Sequence, residues 1–163
     1  MATRPLTTKE FAAAFSVFHG SVNCGMVRVQ DDAGLGGSPW TSPPGPTYPY
    51  YVLHVGATLY TDLAKSPSRK AVMIHELTHV WQGQYGVPLG YVLNSAFHQS
   101  IAFITNGGKV AKAYHYMPGG KWALYNCEQQ ATIVDDWYQA GLSSASNLYT
   151  YITKNIRAGD PWA

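Results

Sequence analysis

The segment AVMIHELTHVWQ, residues 71–82, places two histidines and a glutamate in an otherwise uncharged run. His75 and His79 stand four residues apart, so on a helix both imidazoles project from one face, one turn apart. From that face both rings can reach one metal ion, and Glu76 can reach a water bound to it. The pattern is H-E-x-x-H, in which two histidines bind zinc and the glutamate is a general base.

The neighbours of the motif favour a metal site over a purely structural role. The apolar stripe that would pack this helix into the core consists of Met73, Leu77, Val80 and Trp81. Burying a carboxylate and two imidazoles in such surroundings without a partner would be costly. Cys24 and Cys127 have no second cysteine or histidine at ligand spacing, so sulfur ligands are not expected. The sequence therefore predicts one Zn²⁺ per chain, bound by nitrogen and oxygen atoms.

A catalytic zinc site takes three protein ligands and keeps one position for water, so a third ligand must come from elsewhere. The metzincin continuation is excluded, because Gln82 and Tyr85 occupy the positions of its glycine and its third histidine. The remaining candidates downstream of the motif are the carboxylates and histidines His98, His115, Glu128, Asp135, Asp136 and Asp160.

Glu128 is favoured among these candidates by its predicted position. It falls in the first turn of a helix that Asn126 would cap, where the helix dipole stabilises a carboxylate. Asp135 shares its face but lies two turns, about 10 Å, further along, too far to bind the same ion. We expect it instead to orient a ligating histidine. His98 lies in an apolar helix, and His115 between two tyrosines fits an oxyanion donor better than a ligand.

Start and stop signals predict that helices carry most of these residues. Ser66 and Pro67 would open the motif helix, which runs to about Gln84. The helix of Glu128 would run from its Asn126 cap to Ala140, with Gln129 at the capping-box position. Further helices are predicted at 7–18, with Phe11, Ala14, Phe15 and Phe18 on one face, at 89–104, and from Ser143 or Ser144. Strands are predicted within 25–30 and 50–56.

The segment GLGGSPWTSPPGPTYPYY, residues 34–51, holds five of the ten prolines. Proline removes a backbone donor and glycine supplies no side chain to pack, so we expect no regular element here. The segment is either an irregular surface connection or a flap over a cleft, since long ordered loops are often functional.

Composition indicates one globular α+β domain spanning residues 1–163. Hydrophobic residues make up 46% of the chain and charged residues 12%. A net charge of +2 argues against a nucleic-acid partner, and no apolar run approaches the ~20 residues that cross a bilayer. The short apolar run FAAAFSVF follows Lys9 and Glu10 directly, so it is not expected to act as a signal peptide. Cys24 and Cys127 could form one disulfide, but two separate thiols are expected.

Three blocks of this chain resemble a known family. HELTHVWQ, AYHY at 113–116 and NCEQQATIVDD at 126–136 resemble the zinc metallopeptidase effector domains of type VI secretion systems. Those domains are found fused to the valine-glycine repeat spike proteins of Gram-negative bacteria. The resemblance covers roughly residues 70–136, and HELTHVWQ together with EQQA is more specific than H-E-x-x-H alone. It implies a zincin-like, mainly helical domain with a small sheet, in which His75, His79 and Glu128 bind zinc and Glu76 is the base.

The resemblance also implies a biological role. Members of the family are antibacterial toxins that act in the periplasm of the attacked cell and are neutralised by a cognate immunity protein. The chain would be made in the bacterial cytoplasm without a Sec signal peptide and then secreted, with a spike component as a further partner. The 163 residues contain no spike portion, which leaves an excised domain and a free-standing effector as alternatives.

The predicted activity is hydrolysis of peptide bonds in a protein or peptide substrate. Zinc would activate water and polarise the scissile carbonyl, and Glu76 would move the proton. Tyr114, His115 and Tyr116 are candidates for a second oxyanion donor, although each could equally be a core residue. Two other functions stay open: a zinc hydrolase of peptidoglycan peptide or amide bonds, and a non-catalytic metal-binding module. A non-catalytic metal-binding module would leave Glu76 without a function.

Overall fold

The described part of the chain consists of two stretches. The computed structural model describes residues 1–86 and 114–163. The helix predicted at 89–104, with His98, lies outside the described residues. Within them the chain forms a single mixed α+β domain. Its helices are α1 (Thr8–Phe18), α2 (Gly56–Tyr60), α3 (Pro67–Gln84), α4 (Cys127–Gln139) and α5 (Tyr149–Tyr151), which continues as a π-helix over Ile152–Ile156.

The described strands form a small four-stranded sheet with the order β1-β2-β4-β3. Its two central strands are parallel and each edge strand is antiparallel to its neighbour. Strand β3 is therefore an edge strand, and α3 packs against it. The strands are β1 (Thr3–Arg4), β2 (Val27–Gln30), β3 (Trp40–Ser42) and β4 (Tyr51–His54).

The two helices that carry the predicted site begin where the sequence places them. The Ser66 side chain accepts a hydrogen bond from the first turn of α3, and Pro67 is the first helical residue. At α4 the side chains of Asn126 and Gln129 form a complete capping box. These caps satisfy backbone donors that a helix start otherwise leaves unpaired. Both helix predictions are confirmed.

Strand β3 corrects the prediction that residues 34–51 contain no regular element. Trp40, Thr41 and Ser42 pair with β4, although Pro39 and Pro43 flank them on both sides. The prolines stand outside the strand, and an edge strand needs ladder partners on one side only. Aromatic and β-branched residues then suffice for a short strand.

The packing of α1 differs from its predicted face. Ala14, Val17 and Phe18 are buried, whereas Phe11 and Phe15 are 50% and 54% exposed. The two exposed rings lie one turn apart and stack on each other with centroids 6.4 Å apart. The core therefore covers a stripe that keeps Ala14 and Phe18 of the predicted face but is rotated toward Val17.

The last helix begins later than predicted. Ser143 and Ser146 accept hydrogen bonds through their side chains from the backbone two residues further on. Such bonds hold the chain in turns and compete with helix formation. The helical segment therefore starts at Tyr149. Its Ile152 and Ile156 are fully buried.

The core anchors α3 by its apolar side. Met73, Leu77 and Val80 are completely buried, and Trp81 donates its indole N–H to the carbonyl of Ile156 at 3.0 Å. Because these residues fix the helix from behind, its opposite side is held in a defined orientation.

Cys24 and Cys127 are both thiols.

Candidate metal centre

His75, His79 and Glu128 converge between α3 and α4. The Nε2 atom of His75 lies 3.2 Å from Oε2 of Glu128, and that of His79 lies 3.4 Å from Oε1. One ligand atom from each of the three residues falls within 4.8 Å of the others. Helices α3 and α4 thus bring the carboxylate of Glu128 to the two imidazoles. His75 and Glu128 are 53 residues apart along the chain.

Glu128 is held as an anion in this position. Its side chain is 3% exposed, and burial alone would raise its pKa. The charge on His79 and hydrogen bonds from both imidazoles lower it more strongly, so the pKa of Glu128 lies well below its usual range. Its place in the first turn of α4 adds the favourable helix dipole. An anionic carboxylate is the form that binds a cation.

The other ring nitrogen of each histidine is fixed by a hydrogen bond. Nδ1–H of His75 donates to Asp135 at 2.9 Å, and Nδ1–H of His79 donates to Gln82 at 2.8 Å. This assignment directs both Nε2 atoms at Glu128. Hydrogen bonds of this kind orient a metal-binding imidazole and increase its basicity. Asp135 lies where its helical spacing from Glu128 predicted.

Gln82 was not identified from the sequence as part of the site. It is completely buried, and its amide donates to the carbonyl of Cys127 at 3.0 Å and to Gln130 at 2.9 Å. It therefore links α3 to α4 behind His79. Helical spacing could have identified Gln82, because a residue three positions after a helical histidine lies on the same face.

The surroundings of His75 and His79 favour the protonated form of both imidazoles. Burial alone would lower the pKa of His75, but the hydrogen bonds to Asp135 and Glu128 outweigh it and raise that pKa to about 10. Burial likewise opposes a rise at His79, where the charge of Glu128 prevails and the pKa is raised. A cation would take the place of those protons. Two imidazole nitrogens and one carboxylate are donors that suit Zn²⁺, so the residues present fit this metal.

Glu76 is positioned by a residue that sequence analysis did not single out. Its side chain is nearly buried, at 5% exposure, and its Oε2 accepts a hydrogen bond of 2.7 Å from the hydroxyl of Thr41. Thr41 lies on β3, inside the segment predicted to be irregular. No local pattern connects two residues 35 positions apart, so only the tertiary structure reveals this contact.

A cleft of about 380 Å³ opens beside these residues. His75, Glu76 and Asp135 lie on its wall, whereas His79 and Glu128 are more deeply buried. The remaining wall is small or neutral, with Ser38, Pro39, Ala71, Val72, Tyr114 and Gln139 among its residues.

The three candidate oxyanion donors occupy different environments. Tyr114 lines the cleft, with its ring centroid 5.9 Å from that of His75. Tyr116 donates its hydroxyl to Asp136 at 2.7 Å. His115 is exposed, and its carbonyl accepts a hydrogen bond from Gln129. Of the three, Tyr114 is the residue placed on the cleft wall.

Comparison with known proteins places the chain in a family. No protein-family model matches it. The solved effector domain of Pseudomonas aeruginosa VgrG2b superposes with a TM-score of 0.66 at 30% identity, covering 92% of this chain and 82% of that domain. The chain belongs to the VgrG2b effector-domain family. The type VI secretion system spike protein VgrG2b of P. aeruginosa is 32% identical to this member of the family over 165 residues.

The family assignment confirms the coarse part of the resemblance. This VgrG2b-type domain is a homologue of a type VI secretion effector domain, and the alignment covers 97% of its residues. It spans 15% of the length of the spike protein. Among the described residues of the domain, no helix has the length and apolar character needed to cross a membrane.

Proposed function

We propose that this VgrG2b-type domain is a zinc-dependent metallopeptidase. The observation that carries the proposal is the convergence of His75, His79 and Glu128 next to a cleft that His75 and Glu76 line. A purely structural metal site would have no use for a nearly buried carboxylate next to His75 that is held by Thr41. The arrangement of three donors, a base and an adjacent cleft supports hydrolysis.

Each residue of the site has a separate role in the proposed mechanism. His75, His79 and Glu128 would hold the zinc ion, which when bound supplies a Lewis acid and an activated water. Glu76 takes a proton from the attacking water and passes it to the leaving nitrogen of the peptide bond. Thr41 holds Oε2 of that carboxylate, so we assign the proton transfer to Oε1.

Tyr114 is the residue that we assign to the developing oxyanion. Burial raises its pKa, and the charges of Glu128 and Glu76 raise it further, so the phenol stays protonated and remains a donor. Its place on the cleft wall beside His75 is where a substrate carbonyl would lie. A donor that strengthens its bond as negative charge develops stabilises the transition state more than the bound substrate.

Tyr114→Phe should lower kcat by roughly 10²-fold and leave zinc affinity unchanged, because it removes one oxyanion donor and no ligand. Steady-state kinetics on a peptide substrate and a zinc titration measure both quantities. Tyr116→Phe and His115→Ala are the matched controls, each removing one neighbouring polar group. Full activity of Tyr114→Phe together with a slow His115→Ala protein would transfer the role to His115.

Substrate class is tested by offering protein and cell-wall substrates in parallel. The zinc-loaded domain should cleave casein, stop when a chelator removes the metal and recover when zinc is returned. Release of soluble fragments from purified peptidoglycan with intact casein would favour the cell-wall hydrolase instead. Bound zinc without hydrolysis of either substrate would leave a non-catalytic metal-binding module.

We further propose that the domain acts as an antibacterial toxin. Homology to a domain of a type VI secretion spike protein supports delivery by that system. On this basis the site of action is the periplasm of the target cell, a spike component carries the domain, and a cognate immunity protein protects the producer.

A further inference from the structure

A second hydrogen-bonded chain of side chains lies on β3 and β4. His54 donates its Nδ1–H to Asp32 at 2.7 Å, and its Nε2 lies 2.9 Å from the hydroxyl of Ser42. With Nδ1 as the donor, Nε2 of the neutral ring accepts the Ser42 proton. The indole of Trp40 covers the imidazole, with the two rings 4.0 Å apart and tilted by 8°. The four side chains form one connected cluster, called here the β3 clamp.

The clamp has the composition of a nucleophilic triad, but its surroundings do not suit acyl transfer. An acyl intermediate needs hydrogen-bond donors near the nucleophile, and in Ser-His-Asp triads backbone N–H groups supply them. The two residues after Ser42 are Pro43 and Pro44, and neither has an N–H to donate. A positioning role explains the contacts without requiring an oxyanion site.

Strand geometry connects the clamp to the candidate metal centre. Successive side chains of a strand point to opposite faces. Trp40 and Ser42 therefore face His54 and the clamp, while Thr41 between them faces α3 and donates to Glu76. In the sheet Trp40 is paired directly with His54. One face of the strand is held by the clamp, and the other face holds the proposed base.

An edge strand of three residues has few ladder hydrogen bonds of its own, since only one neighbour pairs with it. The clamp adds a side-chain attachment from Ser42 through His54 to Asp32, which lies just beyond the end of β2. The backbone carbonyl of Asp32 is itself fixed by the N–H of Gly56 at 2.6 Å. The anchor for β3 therefore extends across β4 to the chain that leaves the central strand β2.

We propose that Asp32, His54 and Ser42 are positioning residues that fix β3, and through Thr41 the carboxylate of Glu76. The effect of the clamp on turnover rests on the proposed function, whereas its effect on β3 does not. Loss of the Ser42 hydroxyl loosens the strand, so the hydrogen bond from Thr41 no longer holds Glu76 in one orientation. Zinc binding is spared, because none of the three ligands lies on β3.

The experiment compares Ser42→Ala with the conservative Ser42→Thr, which keeps a hydroxyl and suits a strand. Thr3→Ala is the matched control, since it removes one side-chain hydrogen bond at the opposite edge of the same sheet. Amide hydrogen exchange of the metal-free protein reports the stability of β3. Zinc titration and steady-state kinetics on casein-derived peptide report the site.

We expect Ser42→Ala to accelerate exchange at residues 40–42 by about tenfold and to lower kcat by roughly tenfold at unchanged zinc affinity. Ser42→Thr should restore both quantities, and Thr3→Ala should change neither. Unchanged protection of residues 40–42 in Ser42→Ala would overturn the clamp. Faster exchange with unaltered kcat would overturn its link to Glu76. A parent protein without hydrolytic activity would refute the proposed function, and the exchange comparison would still decide whether the clamp holds the strand.

Discussion

Glu76→Gln is expected to lower kcat for peptide hydrolysis by about 10³-fold while the domain keeps its zinc. In the proposed mechanism the carboxylate takes the proton of the attacking water, and an amide cannot do so. The amide can still pair with Thr41, so the strand contact and the fold should be retained. Measurement of kcat together with the zinc content of the purified variant separates loss of the base from loss of the metal.

The same substitution tests the proposed toxicity. Expression of the parent domain with an export signal should harm a Gram-negative host more than expression in the cytoplasm does. Exported Glu76→Gln should relieve that harm at equal protein levels. If the exported variant is as toxic as the parent, toxicity does not come from hydrolysis. If the variant has lost its zinc, Glu76 has a role in binding that we have not assigned to it.

Glu128→Ala is expected to weaken zinc binding by roughly 10³-fold, because the change removes one of three ligands and its charge. His75 and His79 would remain as a two-ligand site on one helix. Competition with a chelating dye measures the affinity, and circular dichroism shows whether α4 is intact. Catalysis should disappear at zinc concentrations that saturate the parent.

Graded controls make this prediction specific. Asp135→Asn should weaken binding by only about 10- to 100-fold, since in the proposed site Asp135 orients His75 and is not itself a ligand. His115→Ala should bind zinc like the parent. If Glu128→Ala binds zinc like the parent, the assignment of Glu128 is wrong. Weakened binding by His115→Ala would then make His115 the third ligand, and unchanged binding would make His98→Ala the next variant to titrate.

Local patterns predicted the helical part of the site. The H-E-x-x-H spacing, the Ser66-Pro67 start of α3 and the Asn126 capping box each depend on residues within one or two turns. The side of α4 that faces α3 followed from helical periodicity, which is why Asp135 was expected beside a histidine. These features are decided by short-range geometry, and the structure has them where the sequence indicates.

Long-range features could not be predicted in this way. Strand β3 exists because β4 pairs with it, and the prolines around it suggested a loop. Thr41 was therefore assigned no role from its local sequence. The β3 clamp was not predicted either, because His54 lies 12 residues from Ser42 and 22 residues from Asp32, its two hydrogen-bond partners. The exposed positions of Phe11 and Phe15 likewise depend on which stripe of α1 the core covers. Tertiary packing decides each of these points.

The separation of the site residues along the chain has a consequence for folding. The residues on α3 are close in sequence to one another, but His75 meets Glu128 across 53 residues and Asp135 across 60 residues. Contacts of such length form late, because the entropy of closing the loop must be overcome first. The three donor side chains therefore come together only once α3 and α4 have docked. In the proposed site, zinc would bind this docked state more tightly than the unfolded chain and would raise the free energy of unfolding by mass action, so the metal would stabilise the domain after the slow contacts have formed.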